Sequence, residues 1–246
     1  MSSADSVTLR NASADDRLNN DVLAVCSDAI CEAARIIGAD PPLGKKPIVV
    51  QQSTDGYPRA CLDGLPNEYW VNVTCLHSRS YARLAFQLGH ELGHFYIDPR
   101  YRNWFIESVC TALAYSCLTA LAEKWLSNPP YPGRSNYAPA FTDYRNGHVR
   151  WGLDELKLGG TDDISTWIRD SLPAVVHEEQ FSRQHEALCA EAIAGAMSSH
   201  MEACSALTRL GEASHAGRSD FALWRAGVSP YETDLIDTLG ELFSRK

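Results

Sequence analysis

Residues 80–97 read SYARLAFQLGHELGHFYI, and this stretch determines how the rest of the chain is interpreted. Its large apolar residues recur at helical spacing and Asp98-Pro99 supplies a stop, so the stretch is predicted to be one amphipathic helix. Four apolar residues fall on one side of that helix: Tyr81, Leu84, Leu88 and Phe95. His90 and His94 fall on a different side, where they can face something other than the core.

The two histidines belong to the segment His90-Glu91-Leu92-Gly93-His94. Histidines four residues apart on a helix lie about 6 Å from each other on one face, so both rings can reach a single ion. Zinc accepts imidazole nitrogens at about 2.0 Å. The intervening Glu91 projects beside that face and reaches a metal-bound water rather than the metal. The segment therefore predicts a metal site with Glu91 as a base.

A third ligand is predicted on the next helix, which is expected from near Asn103 to about residue 126. The turn between the two helices centres near residue 100. Residues equidistant from the turn of an antiparallel helix pair face each other, which places the mirror position of His94 at 106–107. Glu107 stands there among apolar residues, where an unpaired carboxylate would be costly to bury. Glu107 is therefore the predicted third ligand.

Two alternatives to this assignment remain at this point. Glu107 could instead pair with an arginine such as Arg83 or Arg102. Asp98 is a rival ligand four residues beyond His94, but ligands at positions i, i+4 and i+8 spread over about 12 Å of helix, too far for one ion. Asp98 is better interpreted as part of the helix stop.

The region before this helix predicts a small sheet. PIVVQQ (47–52) is a short β-branched run, and YWVNVT (69–74) alternates as a strand does. The turn signal Asp63-Gly64 lies between them, and about three strands are expected. Upstream, apolar residues recur every three or four positions from Arg17 to Gly38, which predicts an amphipathic helix ended by the glycine. Residues 1–16 are expected to be a mobile leader.

The C-terminal half is predicted to be helical. Residues 127–137 (SNPPYPGRSNY) indicate a loop, followed by helices over 162–172, from about Glu178 to Leu210, and from Pro230, where Ser229 and Glu232 form a capping-box pattern. The predicted fold class is thus α+β and mostly helical, with the sheet packed on the histidine helix and the antiparallel glutamate helix. We expect a leader over 1–16, a catalytic core over 17–127, and helices over 128–246 packed on or completing it.

Composition narrows the classes of function. The net charge of −9 has no clustered Lys or Arg, so neither nucleic acid nor an anionic membrane is an expected partner. No membrane span is expected. Most of the eight cysteines lie in apolar or helical patterns, typical of reduced, buried thiols. The polar N-terminus lacks the regions of a Sec signal peptide, so a cytoplasmic location is expected, or export without such a signal, as for an injected effector.

GHELGH on a helix, preceded by a small sheet and followed by a glutamate on the next helix, resembles the gluzincin branch of the HExxH zinc metallopeptidases (zincins). ESVCTALA (107–114) after a short turn is similar to the compact ImmA/IrrE-type members. The resemblance covers roughly residues 45–126. It implies that His90, His94 and Glu107 bind one Zn²⁺, that Glu91 is the catalytic base, and that the strand YWVNVT pairs with an extended peptide substrate.

The chain departs from that family's pattern at position 111. Many gluzincins carry an acid four residues after the ligand glutamate, which orients a ligand histidine. Thr111 stands there, and it can form a hydrogen bond but cannot supply a charge. The hairpin between His94 and Glu107 is also shorter than in most gluzincins.

The predicted reaction is hydrolysis of a peptide or protein substrate by a metal-activated water, with Glu91 taking the proton. A donor to the developing oxyanion is expected from outside the helix, and four candidates stay open: Tyr137, Tyr144, Arg145 and His148. His185-Glu186-Ala187-Leu188-Cys189 imitates half of the metal motif and is interpreted as a helix-packing segment. The isolated His77, His177, His200 and His215 are expected at the surface or in loops.

Two other functions remain as alternatives. The chain could be a metal-binding but non-proteolytic sensor or regulatory module on the same scaffold. It could also be a helical interaction protein in which the histidine motif is accidental.

Overall fold

The helix predicted around His90 and His94 is α2 (Tyr81–Ile97), and it packs against elements from both halves of the chain. The structure is a computed structural model that describes residues 7–62, 67–131, 133–177, 181–215 and 218–243. Helices account for 65% of it, beside a small mixed sheet, which confirms the predicted α+β, mostly helical fold class.

The main sheet has four strands within the described residues, one more than expected. They are β1 (Val7–Arg10), β2 (Ile48–Gln52), β3 (Arg59–Cys61) and β4 (Tyr69–Val73), in the spatial order β1-β2-β4-β3. β1 and β4 run parallel to β2, and β3 runs antiparallel to β4. β3 is therefore an edge strand, whereas β4 is paired on both sides. The predicted turn at Asp63-Gly64 lies outside the described residues.

The prediction of a mobile leader over residues 1–16 is wrong from residue 7 onward. Val7 pairs with Ile48 in the sheet, and both Val7 and Leu9 pack against the core. The Asp15 side chain then accepts hydrogen bonds from two backbone amides of the following helix, which fixes its start. A four-residue strand carries too little periodicity to be recognised, and only its pairing with β2 reveals it.

The predicted N-terminal helix and helical hairpin are confirmed. α1 spans Asp16–Ile37 and ends at Gly38, whose φ of 69° is the left-handed conformation that glycine adopts readily. α3 spans Trp104–Ser127, and the Asn103 side chain caps its start by accepting from the Ile106 amide. α2 and α3 pack against each other more extensively than any other pair of described elements.

α3 is apolar on all sides because other helices surround it. Among the described helices, α3 is the one long and apolar enough to cross a membrane by length and composition. In its most apolar 18-residue window, however, 83% of the residues are buried inside the fold. The composition therefore fits a central core helix.

Close approach of α2 and α3 depends on glycines in α2. A Cβ added to Gly93 would lie 2.8 Å from the Cα atom of Cys110, and one added to Gly89 would lie 3.0 Å from the Cα atom of Ala114. Carbon atoms cannot approach so closely without a shift of backbone. The two glycines of GHELGH thus let α3 lie directly against the face next to the histidines.

The C-terminal half differs from its prediction in two places. A helix that the sequence analysis did not predict, α4 (Ala138–Glu155), follows a short 3₁₀ turn over Arg134–Tyr137. The single helix expected from Glu178 to Leu210 is instead α7 (Arg183–Ser199) followed by a 3₁₀ segment (Met201–Arg209), and residues 178–180 lie outside the described residues. Pattern alone cannot separate an α-helix from a 3₁₀ helix that continues it.

The other C-terminal elements are short. They are α5 (Ile164–Asp170), α6 (Leu172–His177), the hairpin β5 (Ser214–His215) and β6 (Arg218–Ser219), α8 (Phe221–Ala226), α9 (Thr233–Phe243), and 3₁₀ turns at Thr161–Asp163 and Pro230–Glu232. The predicted capping box is confirmed, since the Ser229 amide donates to Glu232 at 2.9 Å. α4 and α7 pack on α3, and their buried apolar residues join the same core cluster as those of α1 and α2.

The glycine contact predicts opposite effects for two alanine substitutions. Gly93→Ala should lower the free energy of unfolding by about 1–3 kcal/mol because the added methyl group meets the backbone of α3. Gly195→Ala, at an exposed α7 position with nothing within 4 Å, should raise it by up to about 1 kcal/mol. Urea unfolding with a chelator present, so that bound metal does not contribute, measures both. Equal stability of the two variants would contradict the close approach.

Cysteine accessibility gives a second prediction. All eight cysteines lie in the described residues as thiols; seven are buried, and Cys31 on α1 is exposed. Burial raises the pKa of thiols such as Cys26 and Cys117 far above their ordinary value, which keeps them unreactive. A chromogenic disulfide reagent should therefore titrate one thiol quickly in the folded protein and eight in denaturant. Fast reaction of several thiols in the folded chain would show that the core is open.

Candidate metal centre

Three predicted side chains converge in the hairpin between α2 and α3. Glu107 Oε2 lies 3.3 Å from His90 Nε2 and 3.5 Å from His94 Nε2. Among the described residues these three form the group that could hold a metal ion, with one ligand atom from each and all such atoms within 4.8 Å of one another. The geometry expected from hairpin symmetry is confirmed.

Local structure explains why these side chains meet. His90 and His94 are one helical turn apart on α2, and their ring centroids are 5.1 Å apart. Asp98 has a φ of 98° and ends α2, so the chain turns back, and Glu107 enters in the first turn of α3. Because Gly93 allows α3 to lie close to α2, the Glu107 side chain is long enough to reach both histidines.

The donor set and spacing suit a tetrahedral ion. Donor atoms at about 2.0–2.1 Å from such an ion lie about 3.3 Å from one another. The two distances from Glu107 Oε2 to the imidazole nitrogens, 3.3 and 3.5 Å, agree with that separation. Two imidazoles and a carboxylate are also a common ligand set for transition metals. The residues present therefore fit a bound divalent ion.

Burial and mutual hydrogen bonds shift the pKa values of His90 and Glu107. Burial by itself would lower the pKa of His90, but its hydrogen bond to Glu107 and the nearby carboxylate charges raise the pKa to about 9. Burial would likewise raise the pKa of Glu107, but hydrogen bonds from both histidines hold that pKa well below its ordinary value. A charged, hydrogen-bonded carboxylate is thus held between two imidazoles, as ligation requires.

Glu91 lies beside the cluster without joining it. Its Oε2 accepts a hydrogen bond from the backbone amide of Ala60 on β3 at 2.5 Å, which turns the carboxylate toward the edge strand. Within the described part of the chain Oε1 makes no hydrogen bond, and Glu91 lines a cleft of about 250 Å³ together with the three ligand candidates. This placement suits a base that acts on a molecule in the cleft.

His90 is supported by a hydrogen bond from behind. Its Nδ1 lies 2.9 Å from the Thr111 hydroxyl, so the prediction that Thr111 can hydrogen-bond a ligand histidine is confirmed. Thr111 Oγ1 in turn donates to Glu186 Oε1 on α7 at 2.5 Å. Nδ1 of His94, by contrast, is buried and has no partner among the described residues.

Glu186 was missed as a site residue. The segment around it is predicted to serve helix packing, and that prediction holds for Ala187, Leu188 and Cys189, which are fully buried. Glu186 instead lines the cleft, and burial raises its pKa above the ordinary value. The sequence does show an acid directly before three buried residues, which could have indicated a functional carboxylate. The element that this acid faces, however, depends on how α7 packs on α3.

The alternatives for Glu107 and Asp98 are resolved by their contacts. Glu107 contacts the histidines, whereas Arg83 donates to Thr74 at 3.0 Å. Arg102 lines the same cleft but forms no ion pair with Glu107 among the described residues. Asp98 accepts from the Arg100 side chain and backbone, and it forms the C-terminal cap of α2. Asp98 is thus part of the helix stop, as interpreted.

Of the four candidates for an oxyanion donor, His148 lines the cleft. Its Nδ1 lies 2.6 Å from the Tyr115 hydroxyl, and burial together with the charges of Arg183 and His90 lowers its pKa to about 4. The other three are not among the residues that line it: the Tyr137 hydroxyl accepts from the Ala82 amide, the Tyr144 ring packs on Phe86, and Arg145 pairs with Glu191. His148 is therefore uncharged at neutral pH and keeps one N–H to donate.

The strand assigned to substrate pairing is corrected. YWVNVT contributes β4, but β4 is bonded to β2 on one side and β3 on the other, so it has no open edge. β3 is the edge strand, and Pro58 and Arg59 at its start line the cleft. Three residues give no detectable strand pattern, so β3 could not be predicted.

The isolated histidines lie away from the cluster. His77 Nε2 bonds the Asn11 carbonyl oxygen, His200 Nε2 bonds Thr238, and His177 is exposed; the His215 side chain lies outside the described part. The half-motif histidine His185 stacks on Trp167.

The chain matches no protein-family model, no curated protein and no solved structure. The function must therefore be argued from the site itself.

Metal content tests the cluster directly. The purified wild-type chain should bind one equivalent of divalent metal, and His94→Ala should weaken binding by more than the roughly 10- to 100-fold that loss of a group supporting a ligand costs. His77→Ala removes an exposed histidine outside the cluster and is the matched control. Equal metal affinity of His94→Ala and His77→Ala would show that His94 is not a ligand.

Proposed function

We propose that this protein is a zinc-dependent metallopeptidase of the gluzincin type, with Glu91 as general base. The observation that carries the proposal is one carboxylate oxygen of Glu107 placed 3.3 and 3.5 Å from the two imidazole nitrogens of a single helix. A carboxylate with no metal-ligand role, Glu91, lies beside this group in the same cleft. A three-ligand site with an adjacent base is the arrangement used for hydrolysis by activated water.

Zinc is the proposed ion because its catalytic sites use three protein ligands drawn from histidine and carboxylate side chains. Bound there by His90, His94 and Glu107, it would lower the pKa of a water molecule and polarise a carbonyl group. The same ligand set also binds ferrous iron in oxygenases. Glu91 favours hydrolysis, since an oxygenase has no need of a base between its two histidine ligands.

The remaining polar groups of the cleft have distinct proposed roles. Glu91 takes a proton from the attacking water and passes it to the leaving amine, with Oε1 as the acceptor, since Oε2 is held by the Ala60 amide. His148, uncharged at neutral pH, donates a hydrogen bond to the developing oxyanion. The two groups line the same cleft from different elements, Glu91 from α2 and His148 from α4.

The edge strand β3 offers the place for an extended peptide. Its outer side is not paired within the described residues, and it borders the cleft at Arg59. A substrate strand added there would extend the sheet and bring its backbone past Glu91. The proposed substrate is accordingly an unfolded or extended segment of a peptide or protein.

Glu91→Gln tests the proposed chemistry. The variant should retain zinc, since Glu91 is not a ligand, and should lose at least about 10²-fold in cleavage rate through removal of the base. New chain termini in a whole proteome incubated with wild type, but not with Glu91→Gln, would identify substrates by mass spectrometry. Cleavage that survives in Glu91→Gln, with zinc bound, would contradict the role of Glu91.

A second function, metal binding without proteolysis, is favoured by one contact. Glu91 Oε2 is engaged by the Ala60 amide at 2.5 Å, so one of its two carboxylate oxygens is already occupied. A zinc-loaded wild type that produces no new termini at all would select this sensor or regulatory function. Absence of bound metal would select the third possibility, a helical interaction protein.

A further inference from the structure

A chain of two hydrogen bonds connects the imidazole of His90 to an acid on another helix. His90 Nδ1 lies 2.9 Å from Thr111 Oγ1, and Thr111 Oγ1 donates to Glu186 Oε1 at 2.5 Å. The three groups come from α2, α3 and α7, so three separate helices meet at this point. Both hydrogen bonds join helices that already pack against each other, since α3 contacts α2 and α7 extensively.

The single proton of the threonine hydroxyl gives this chain a direction. A hydroxyl group has one proton to donate, and a carboxylate can only accept. Because the Thr111 proton points to Glu186, the Thr111 oxygen is left as an acceptor for His90. His90 therefore donates through an Nδ1–H, and a bound ion would take the place of the proton on Nε2, the nitrogen that contacts Glu107.

We propose that Glu186 is a positioning residue that acts through Thr111 to hold the His90 ring with Nε2 directed at the metal. The inference rests on the metal site of the proposed function and adds to it a residue from the C-terminal half. Because the Glu186 carboxylate accepts the hydrogen bond from the Thr111 hydroxyl, Thr111 cannot donate to His90 Nδ1. Without Glu186 the hydroxyl could turn and donate to His90, which would put the ring hydrogen on the nitrogen needed for the metal.

The two histidine ligands differ in a way that concentrates this effect on His90. The buried Nδ1 of His94 has no hydrogen-bond partner among the described residues, so its ring is oriented by packing and by the contact of its Nε2 with Glu107. His94 is only 2% exposed, whereas His90 is 16% exposed and has more room to rotate. The hydrogen bond to Thr111 is thus formed by His90, the more exposed of the two rings.

The same arrangement explains why α7 carries a half-buried carboxylate at this position. An acid without a partner would be costly at this depth, and the Thr111 hydroxyl supplies the partner. Glu191, one and a half turns further along α7, shows the other solution, since it forms two hydrogen bonds with Arg145. Glu191 does not contact the metal cluster, which makes it the matched control for Glu186.

Zinc affinity of the full-length protein tests the inference, by competition with a chromophoric zinc chelator after removal of bound metal. Glu186→Ala and Thr111→Val should each weaken zinc binding roughly 10- to 100-fold, the usual effect of losing a group that supports a ligand. Thr111→Ser, which keeps the hydroxyl, and the control Glu191→Gln should bind zinc as the wild type does. Circular dichroism and urea unfolding confirm that each variant is folded.

The double variant Thr111→Val/Glu186→Ala distinguishes positioning from a general loss of structure. If Glu186 acts through Thr111, the double variant should bind zinc no more weakly than the weaker single variant, because the second change removes nothing further. In ¹⁵N-labelled, zinc-loaded wild type the Nδ1 proton of His90 should exchange slowly with water. In Glu186→Ala that exchange should be faster, which a purely structural role would not predict.

The zinc-binding results separate failure of the positioning role from failure of the metal site itself. Tight zinc binding by the wild type that Glu186→Ala leaves unchanged, or fully additive losses in the double variant, would overturn the positioning role alone. A wild-type chain that binds no zinc would overturn the proposed function and this inference together.

Discussion

The close packing of α2 on α3 is the constraint on which the rest of the structure depends. Gly93 lies where any side chain would meet the backbone of Cys110, so the two helices approach as nearly as the backbone allows. Glu107 stands one turn earlier on α3, and only at this short separation does its carboxylate reach both His90 and His94. The glycine in the middle of the histidine motif therefore has a role in packing as well as in the site.

Electrostatics then determines what these residues can do. Removing two imidazoles and a carboxylate from much of their water costs free energy. The contacts of Glu107 with both histidines offset part of that cost. The shared arrangement also means that an ion can replace the proton on His90 Nε2 without rearrangement behind the ring. Thr111 and Glu186 extend this network into α7, and His148 lines the cleft from α4. The C-terminal helices thus contribute to the site as well as to the core.

The parts of the site that the sequence predicted are those that local geometry determines. Helix periodicity and hairpin symmetry were enough to place His90, His94 and Glu107 together, and the helix stop at Asp98 followed from its proline neighbour. Glu186 lies 75 residues from Thr111 along the chain, and no periodic pattern relates positions so far apart. Its role became visible only from the packing of α7 on α3.

The sheet and α4 show the same limit. β1 and β3 have four and three residues, too few for an alternating pattern, and their pairing partners create them. The edge position of β3, and so the place for a substrate strand, follows from the strand order rather than from composition. α4 was missed because its polar, proline- and glycine-containing sequence resembles a loop, and it is α3 and α7 that hold it as a helix.

X-ray absorption at the zinc edge on the purified protein tests the central claim most directly. A centre formed by two histidines and one glutamate would show one zinc ion with nitrogen and oxygen ligands at about 2.0–2.1 Å, including the multiple-scattering signature of two imidazole rings. Sulfur ligands at about 2.3 Å would place the metal at cysteines instead. That result, or a protein that contains no zinc after growth in zinc-sufficient medium, would contradict a zinc centre formed by His90, His94 and Glu107.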